Sequence, residues 1–82
     1  MTLSDMPLHR AAIVESVEDR QPNDAIARRL RELGFVGGEE VTVLAMGPVG
    51  REPLLVQVGY TRFALRRSEA ARIQVRALEA AA

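Results

Sequence analysis

The chain has 82 residues and a formal net charge of zero, with eleven arginines balanced by eleven acidic residues and no lysine. This length suits one small domain with a single core, and the balanced charge argues against a dedicated nucleic-acid-binding domain, which normally carries a basic excess. The chain also lacks cysteine, which excludes disulfides and thiolate zinc sites.

No apolar run approaches the roughly 20 residues that a membrane-spanning helix needs. The N-terminus, MTLSDMPLHR, lacks the charged start and apolar stretch of a secretory signal. We therefore expect a soluble cytoplasmic protein that reaches a membrane only through a partner.

The first half of the chain predicts a strand followed by one helix. Residues 10–17 alternate in polarity as a strand does. A helix is expected over 24–33, with Asn23 or Asp24 as its cap. Because about ten residues do not form a stable helix alone, this helix must pack against a sheet. Its predicted apolar stripe consists of Ile26, Leu30 and Leu33.

The helix is predicted to end abruptly and to lead straight into a strand. Gly34 stands where a left-handed terminating residue is needed, and Phe35 can fold back onto Leu30. Gly37 and Gly38 then supply a second sharp turn before the next strand.

The second half of the chain predicts short strands and turns. Residues 47–53 are expected to form a loop, because two prolines and two glycines do not suit a strand ladder. Gly59 and Tyr60 suit a two-residue hairpin turn. Residues 68–71 are expected to form one helical turn capped by Ser68. Further strands are predicted over 41–46, 54–58, 61–66 and 73–75.

These elements predict a mainly β fold with one inserted helix, a single domain spanning residues 1–76. Residues 77–82 are expected to be a frayed tail. Five short strands in so small a domain favour a strongly curled antiparallel barrel, because curling lets the sheet enclose its own core.

The residues that carry the helix-to-strand corner and the last hairpin resemble the FeoA family of ferrous-iron-transport accessory proteins. The resemblance covers about residues 2–76 and is strongest at Leu30, Gly34, Phe35 and Gly38 and over Phe63–Arg66. It implies an SH3-like antiparallel barrel of five to six strands. It also implies a partner, the cytoplasmic G-protein-containing region of the ferrous iron transporter FeoB. The C-terminal domains of iron-dependent repressors share the pattern.

No residue set in the sequence predicts an enzyme or a resident cofactor. Ser68 and Thr61 are nominal nucleophiles, but His9 is the only imidazole that could serve either as a base. Because zinc typically takes four ligands, His9 predicts at most adventitious zinc at a crystal or dimer contact. The glycines after the helix do not form a phosphate loop, which runs from strand to helix.

Two features predict a surface for a protein partner. The segment 62–72 carries four arginines against one glutamate, which fits either a solvated strand face or docking against an acidic patch. Apolar residues off the core register are either covered by the helix and leader or form an exposed patch. The off-register residues are Leu44, Met46, Leu55 and Tyr60, and the leader contributes Leu3, Met6 and Leu8.

The sequence therefore predicts a non-enzymatic accessory protein of a ferrous iron transporter, with homodimerisation left open. The alternative is a metal-sensing regulatory domain that binds a transition-metal ion, as in iron-dependent repressors. The residues assigned to the partner-binding surface are Leu33, Phe35, Met46, Arg62, Arg66 and Arg67. Those assigned a structural role are Gly34, Gly38 and Gly59.

Overall fold

The computed structural model describes residues 1–78. Five strands are present, β1 (Ala11–Val17), β2 (Glu40–Val49), β3 (Glu52–Val58), β4 (Thr61–Leu65) and β5 (Ile73–Ala77). The helices are α1 (Ala25–Leu33) and the single turn α2 (Arg67–Ala70), and a 3-10 turn occupies Leu3–Asp5. The predicted mainly β architecture with one inserted helix is confirmed.

The strands form one antiparallel sheet in the order β4-β3-β2-β1-β5. Register shifts interrupt β1 between Val14 and Ser16 and β2 between Val43 and Ala45. Such bulges bend a strand and increase its twist, so they curl the sheet around its core. Within residues 1–78 the sheet stays open between β4 and β5, which are its two edges.

The corner after α1 has the predicted geometry. Gly34 has a φ of 117°, and the Phe35 N–H donates to the Leu30 carbonyl at 3.1 Å. This six-to-one bond is that of a Schellman helix end. It turns the Phe35 side chain into the core, where the side chain is fully buried.

The N-terminal leader covers both the core and the β5 edge. Leu3 and Met6 are buried. Thr2 bridges to Gln74, and the Met1 carbonyl accepts from the Val75 N–H at 2.9 Å. The leader therefore buries part of the apolar excess seen in the sequence.

The predicted loop over 47–53 is wrong. β2 continues to Val49 and β3 begins at Glu52, so the segment is a projecting hairpin. Its turn residues, Gly50 and Arg51, have φ values of 63° and 60°, the pattern of a type I′ turn. The strand pairing shifts register between Met46 and Val49, which forms a bulge. The two prolines and Gly47 are tolerated there because a bulge does not need every backbone N–H to donate a hydrogen bond to the neighbouring strand.

Three smaller expectations also need correction. The buried face of α1 is formed by Ala27 and Leu30, whereas Ile26 is 38% exposed. α2 begins at Arg67 rather than Ser68, because the Glu69 carboxylate accepts from the Arg66 N–H at 2.7 Å. The predicted tail begins too early, because Ala77 belongs to β5. Its residues 79–82 lie outside the described range.

Gly47 is required by a close approach between strands. A Cβ at this position would lie 1.8 Å from the Glu52 carbonyl oxygen. We expect Gly47→Ala to lower the free energy of unfolding by about 2 kcal/mol or more, because backbone must move to relieve the overlap. Urea denaturation of the variant and the parent measures this difference in the free energy of unfolding.

Gly50→Asn is the matched control in the same hairpin. Space around Gly50 is open, and asparagine tolerates its left-handed φ, so stability should change by less than about 1 kcal/mol. Equal stability of Gly47→Ala and the parent would contradict this account of the hairpin.

Candidate functional site

A shallow groove runs between α1 and β4. Its volume is about 220 Å³, below the roughly 300–1,000 Å³ of typical small-molecule sites. Phe63 and Leu33 are half-buried within it, and Ile26 lies on its exposed rim. The groove is lined by Ile26, Arg29, Leu30, Leu33, Phe63, Ala64, Leu65 and Glu69. Its size and lining suit one or two apolar side chains of a partner.

The groove has a rigid floor. The Phe63 ring packs against the buried Phe35 ring, with ring centroids 5.8 Å apart and a tilt of 50°. Such tilted aromatic pairs add specific stabilisation beyond the area they bury. Phe35 therefore supports the groove from below, and its complete burial corrects the expectation that it contacts a partner directly.

Three of the predicted arginines lie on or beside β4. Arg62 is exposed, and its Nε donates to Gln57 Oε1 at 3.2 Å across the strand pair. Arg66 and Arg67 are exposed at the start of α2, and the Arg67 N–H donates to Glu52 Oε1 at 2.8 Å. Glu52 thus ties the hairpin to this corner.

These guanidinium groups are available to a partner. Within residues 1–78 the only ion pairs are Arg31–Asp19 and Arg72–Asp24. Arg29, Arg62, Arg66 and Arg67 consequently have no carboxylate within ion-pair distance in the described chain. We call these four residues the arginine rim: Arg29 lines the groove, Arg62 lies on β4, and Arg66 and Arg67 directly follow that strand.

Arg72 does not belong to the arginine rim. Its side chain is buried, and its Nε donates to Asp24 Oδ2 at 2.8 Å. Arg72 Nη1 also donates to the Ser68 carbonyl at 2.7 Å, at the end of α2. The sequence interpretation counted Arg72 among surface charges because nothing in its neighbourhood reveals a partner 48 positions away.

The Asp24 carboxylate accepts the hydrogen bond from Arg72 and several backbone hydrogen bonds at the start of α1. Its carboxylate caps α1 through the Ile26 and Ala27 N–H groups and also accepts from the Arg20 N–H at 2.9 Å. The Arg20 hydrogen bond, followed by the hydrogen bond from Arg72, holds the pKa of Asp24 well below its usual range. Asp24 is therefore ionised at neutral pH.

Met46 and Leu33 reach the surface at different places. Met46 is half-buried on β2, and it lies in one cross-strand row with Leu54 and Leu65. Because strands are about 4.8 Å apart, this row places Met46 roughly 10 Å from β4. Leu33 lines the groove itself. Among the off-register residues, Tyr60 is fully exposed at the hairpin turn, and Leu44 and Leu55 are half-buried.

His9 lies apart from the groove. It is exposed just before β1, with a φ of 62°, and its N–H donates to the Val43 carbonyl at 2.8 Å. Within the described part of the chain, no group of three or more His, Asp or Glu side chains could hold a metal ion. No helix among residues 1–78 is long and apolar enough to span a membrane.

Removing the charge of Asp24 tests its role. Asp24→Asn keeps a capping oxygen but leaves Arg72 without its counter-ion, so we expect a melting temperature several degrees lower at neutral pH. Because the folded-state pKa is depressed, the carboxylate stabilises the fold above about pH 4, and this contribution is lost as the pH falls toward the lowered pKa. The deficit should therefore shrink in acid.

Asp19→Asn is the matched control, because Asp19 pairs with Arg31 at the exposed surface. Exposed pairs contribute less than about 1 kcal/mol, so that variant should melt close to the parent. Equal melting temperatures for both variants would contradict the central role of Asp24.

Comparisons with known proteins assign this architecture to a family. The sequence pattern of the FeoA domain matches residues 1–77. The FeoA of Stenotrophomonas maltophilia, solved in complex with zinc and described as an SH3 domain protein, is 72% identical. That match covers 93% of this chain and 89% of the other, with a TM-score of 0.87. The SH3-like fold is thereby confirmed.

A curated relative joins this domain to a transporter. The Fe(2+) transport protein A/Fe(2+) transporter FeoB fusion protein of Porphyromonas gingivalis is 33% identical over 75 residues. The match covers 92% of this chain but only 8% of the length of that relative.

A manganese-dependent transcriptional repressor shares the fold alone. It is 19% identical, with a TM-score of 0.80 over 95% of this chain and 41% of the repressor.

Proposed function

The chain belongs to the FeoA family, and from that premise we propose that it is a cytoplasmic accessory protein of the ferrous iron transporter FeoB. It acts by binding the transporter's cytoplasmic G-protein-containing region. The proposed contact surface consists of the α1–β4 groove and the arginine rim, with Met46 at its margin. Phe35 contributes from beneath, because it supports Phe63.

The fused relative supports this partnership. In the Porphyromonas gingivalis protein the two components are parts of one polypeptide. Covalent linkage keeps two domains at high effective concentration, which favours pairs that work in contact. We infer the same association for this separate chain.

The observation that carries the proposal is a groove with apolar side chains in its lining that lies next to arginines without an ion-pair partner among residues 1–78. Leu33 and Phe63 remain half-buried in this groove after the chain has folded. Protein interfaces typically combine an apolar centre with a polar rim and are enriched in arginine and aromatic residues. The groove is small for a substrate, which fits a binding role without catalysis.

Charge reversal on the rim tests the proposal. We expect Arg62→Glu combined with Arg66→Glu to weaken capture of the transporter's cytoplasmic region at least tenfold, because like charges then oppose an acidic partner surface. Affinity is measured by pull-down and calorimetry at two salt concentrations. The parent's binding should also weaken as salt rises.

The matched control reverses two exposed arginines near the opposite edge of the sheet. Arg10→Glu with Arg76→Glu changes the net charge by the same amount near β1 and β5. This control should bind as the parent does. If both double variants weaken binding of the transporter region equally, only the net charge of the chain matters and the proposed surface is wrong. If the parent forms no complex at all, the proposed function is overturned.

The metal-sensing alternative is tested separately. Calorimetric titration with ferrous, manganous and zinc ions measures stoichiometric binding. Because no cluster of ligands occurs within residues 1–78, we expect no tight one-to-one complex. Any zinc bound at His9 should remain weak and adventitious.

A further inference from the structure

The two edges of the sheet are treated differently. The β5 edge is covered by the leader, through the Thr2–Gln74 bridge and the Val75 N–H bond to the Met1 carbonyl. The outer edge of β4 has no such cover within the described residues. Natural proteins usually cover, shorten or distort an exposed strand edge, because it can pair with another chain.

The hydrogen-bonding groups at this open edge can be assigned from the register. A two-residue turn joins β3 to β4, so Val58 and Thr61 form the hydrogen-bonded pair beside the turn. Alternation then directs the main-chain N–H and C=O groups of Arg62 and Ala64 away from β3. No turn, loop or side-chain group among residues 1–78 hydrogen-bonds these four groups.

The strand is regular where it faces outward. The pairing of β3 with β4 runs from Val58–Thr61 to Leu54–Leu65 without a register shift. The strand contains no proline or bulge that would block an incoming chain. Ala64, whose edge groups face outward, also lines the α1–β4 groove.

We propose that β4 accepts an extended segment of the transporter as an added strand, with its apolar side chains in the α1–β4 groove and its acidic side chains on Arg62. This inference rests on the proposed function and specifies how the partner binds. Side chains of an added strand alternate between faces. One face therefore meets Phe63 and the groove, and the other meets the guanidinium of Arg62.

The arginines on and after β4 favour an acidic segment of the transporter over a second copy of the chain as the added strand. If two β4 strands paired antiparallel about Ala64, Arg62 of each copy would lie opposite Arg66 of the other. If they paired about Arg62, the two Arg62 residues would face each other. Like charges directly opposite destabilise strand pairs. With an acidic segment the electrostatic interaction becomes attractive, because its carboxylates face the guanidinium groups of the arginine rim.

Amide hydrogen exchange tests the inference directly. The probe is the transporter's intact cytoplasmic region, added unlabelled to the nitrogen-15-labelled chain. We expect exchange of the Arg62 and Ala64 amides to slow at least tenfold in the complex. The Phe63 amide is the internal control, because it already bonds to β3 and should change little.

A proline substitution gives an independent test. Ala64→Pro removes an edge N–H without removing a β3 ladder bond, so binding should fall at least tenfold. Capture of the transporter region by Ala64→Pro within about threefold of the parent would contradict strand addition. If Ala64→Pro fails to fold, the exchange measurement on the parent decides.

The outcomes separate this inference from the proposed function. A complex in which the Arg62 and Ala64 amides exchange as in the free chain overturns strand addition but leaves the partnership intact. Slowing that depends on the concentration of the chain alone assigns the edge to a second copy and overturns the inference. Absence of any complex with the transporter region overturns both proposals.

Discussion

The buried carboxylate of Asp24 holds together the parts of the chain that create the groove. It caps α1, accepts from the Arg20 N–H and pairs with Arg72 just before β5. Arg72 in turn binds the end of α2, and its own carbonyl accepts from the Glu18 N–H after β1. The β1–α1 and α2–β5 connections therefore meet at one ion pair. A buried pair of this kind is costly to break, because the remaining charge loses its partner.

That ion pair joins the start of α1 to the segment after α2, while the β4 edge of the sheet stays open within residues 1–78. The leader closes the β5 edge, and α2 links the two edges at one end. α1 lies across the groove from β4 and, within residues 1–78, makes no hydrogen bond to the Arg62 or Ala64 main chain. The resulting groove has a floor fixed by the Phe35–Phe63 contact. Recognition by rigid elements rather than by a mobile loop loses less conformational entropy on binding.

Local chemistry in the sequence predicted the fold well but predicted the site only in part. The Gly34 helix end and the Gly59 turn follow from backbone rules that act over a few residues, and both glycines have positive φ. The hairpin over 47–53 was missed because a bulge, visible only from strand pairing, accommodates its prolines. Ile26 was expected on the buried face of α1, but Ala27 is buried there instead. The orientation of α1 depends on its capping contacts and packing, which helical periodicity alone does not fix.

Long-range partners account for the remaining differences. Arg72 is separated from Asp24 by 48 positions, so its sequence neighbourhood resembled a surface charge cluster. The expectation that Phe35 folds back at the helix end is confirmed. The complete burial of its ring against Phe63 could be seen only in the structure. The open β4 edge could not be predicted without the strand order, since it depends on which strands are neighbours.

The proposed recognition of the transporter by the α1–β4 side of the molecule can be tested by methyl NMR. The labelled chain is titrated with the transporter's cytoplasmic region. We expect the methyl signals of Ile26, Leu33 and Leu65, which line the groove, to shift on binding. The methyls of Val36, exposed beside a separate depression near Glu15 and Gly37, should stay unchanged. Shifts confined to Val36 and its neighbours would show that the partner binds a different surface.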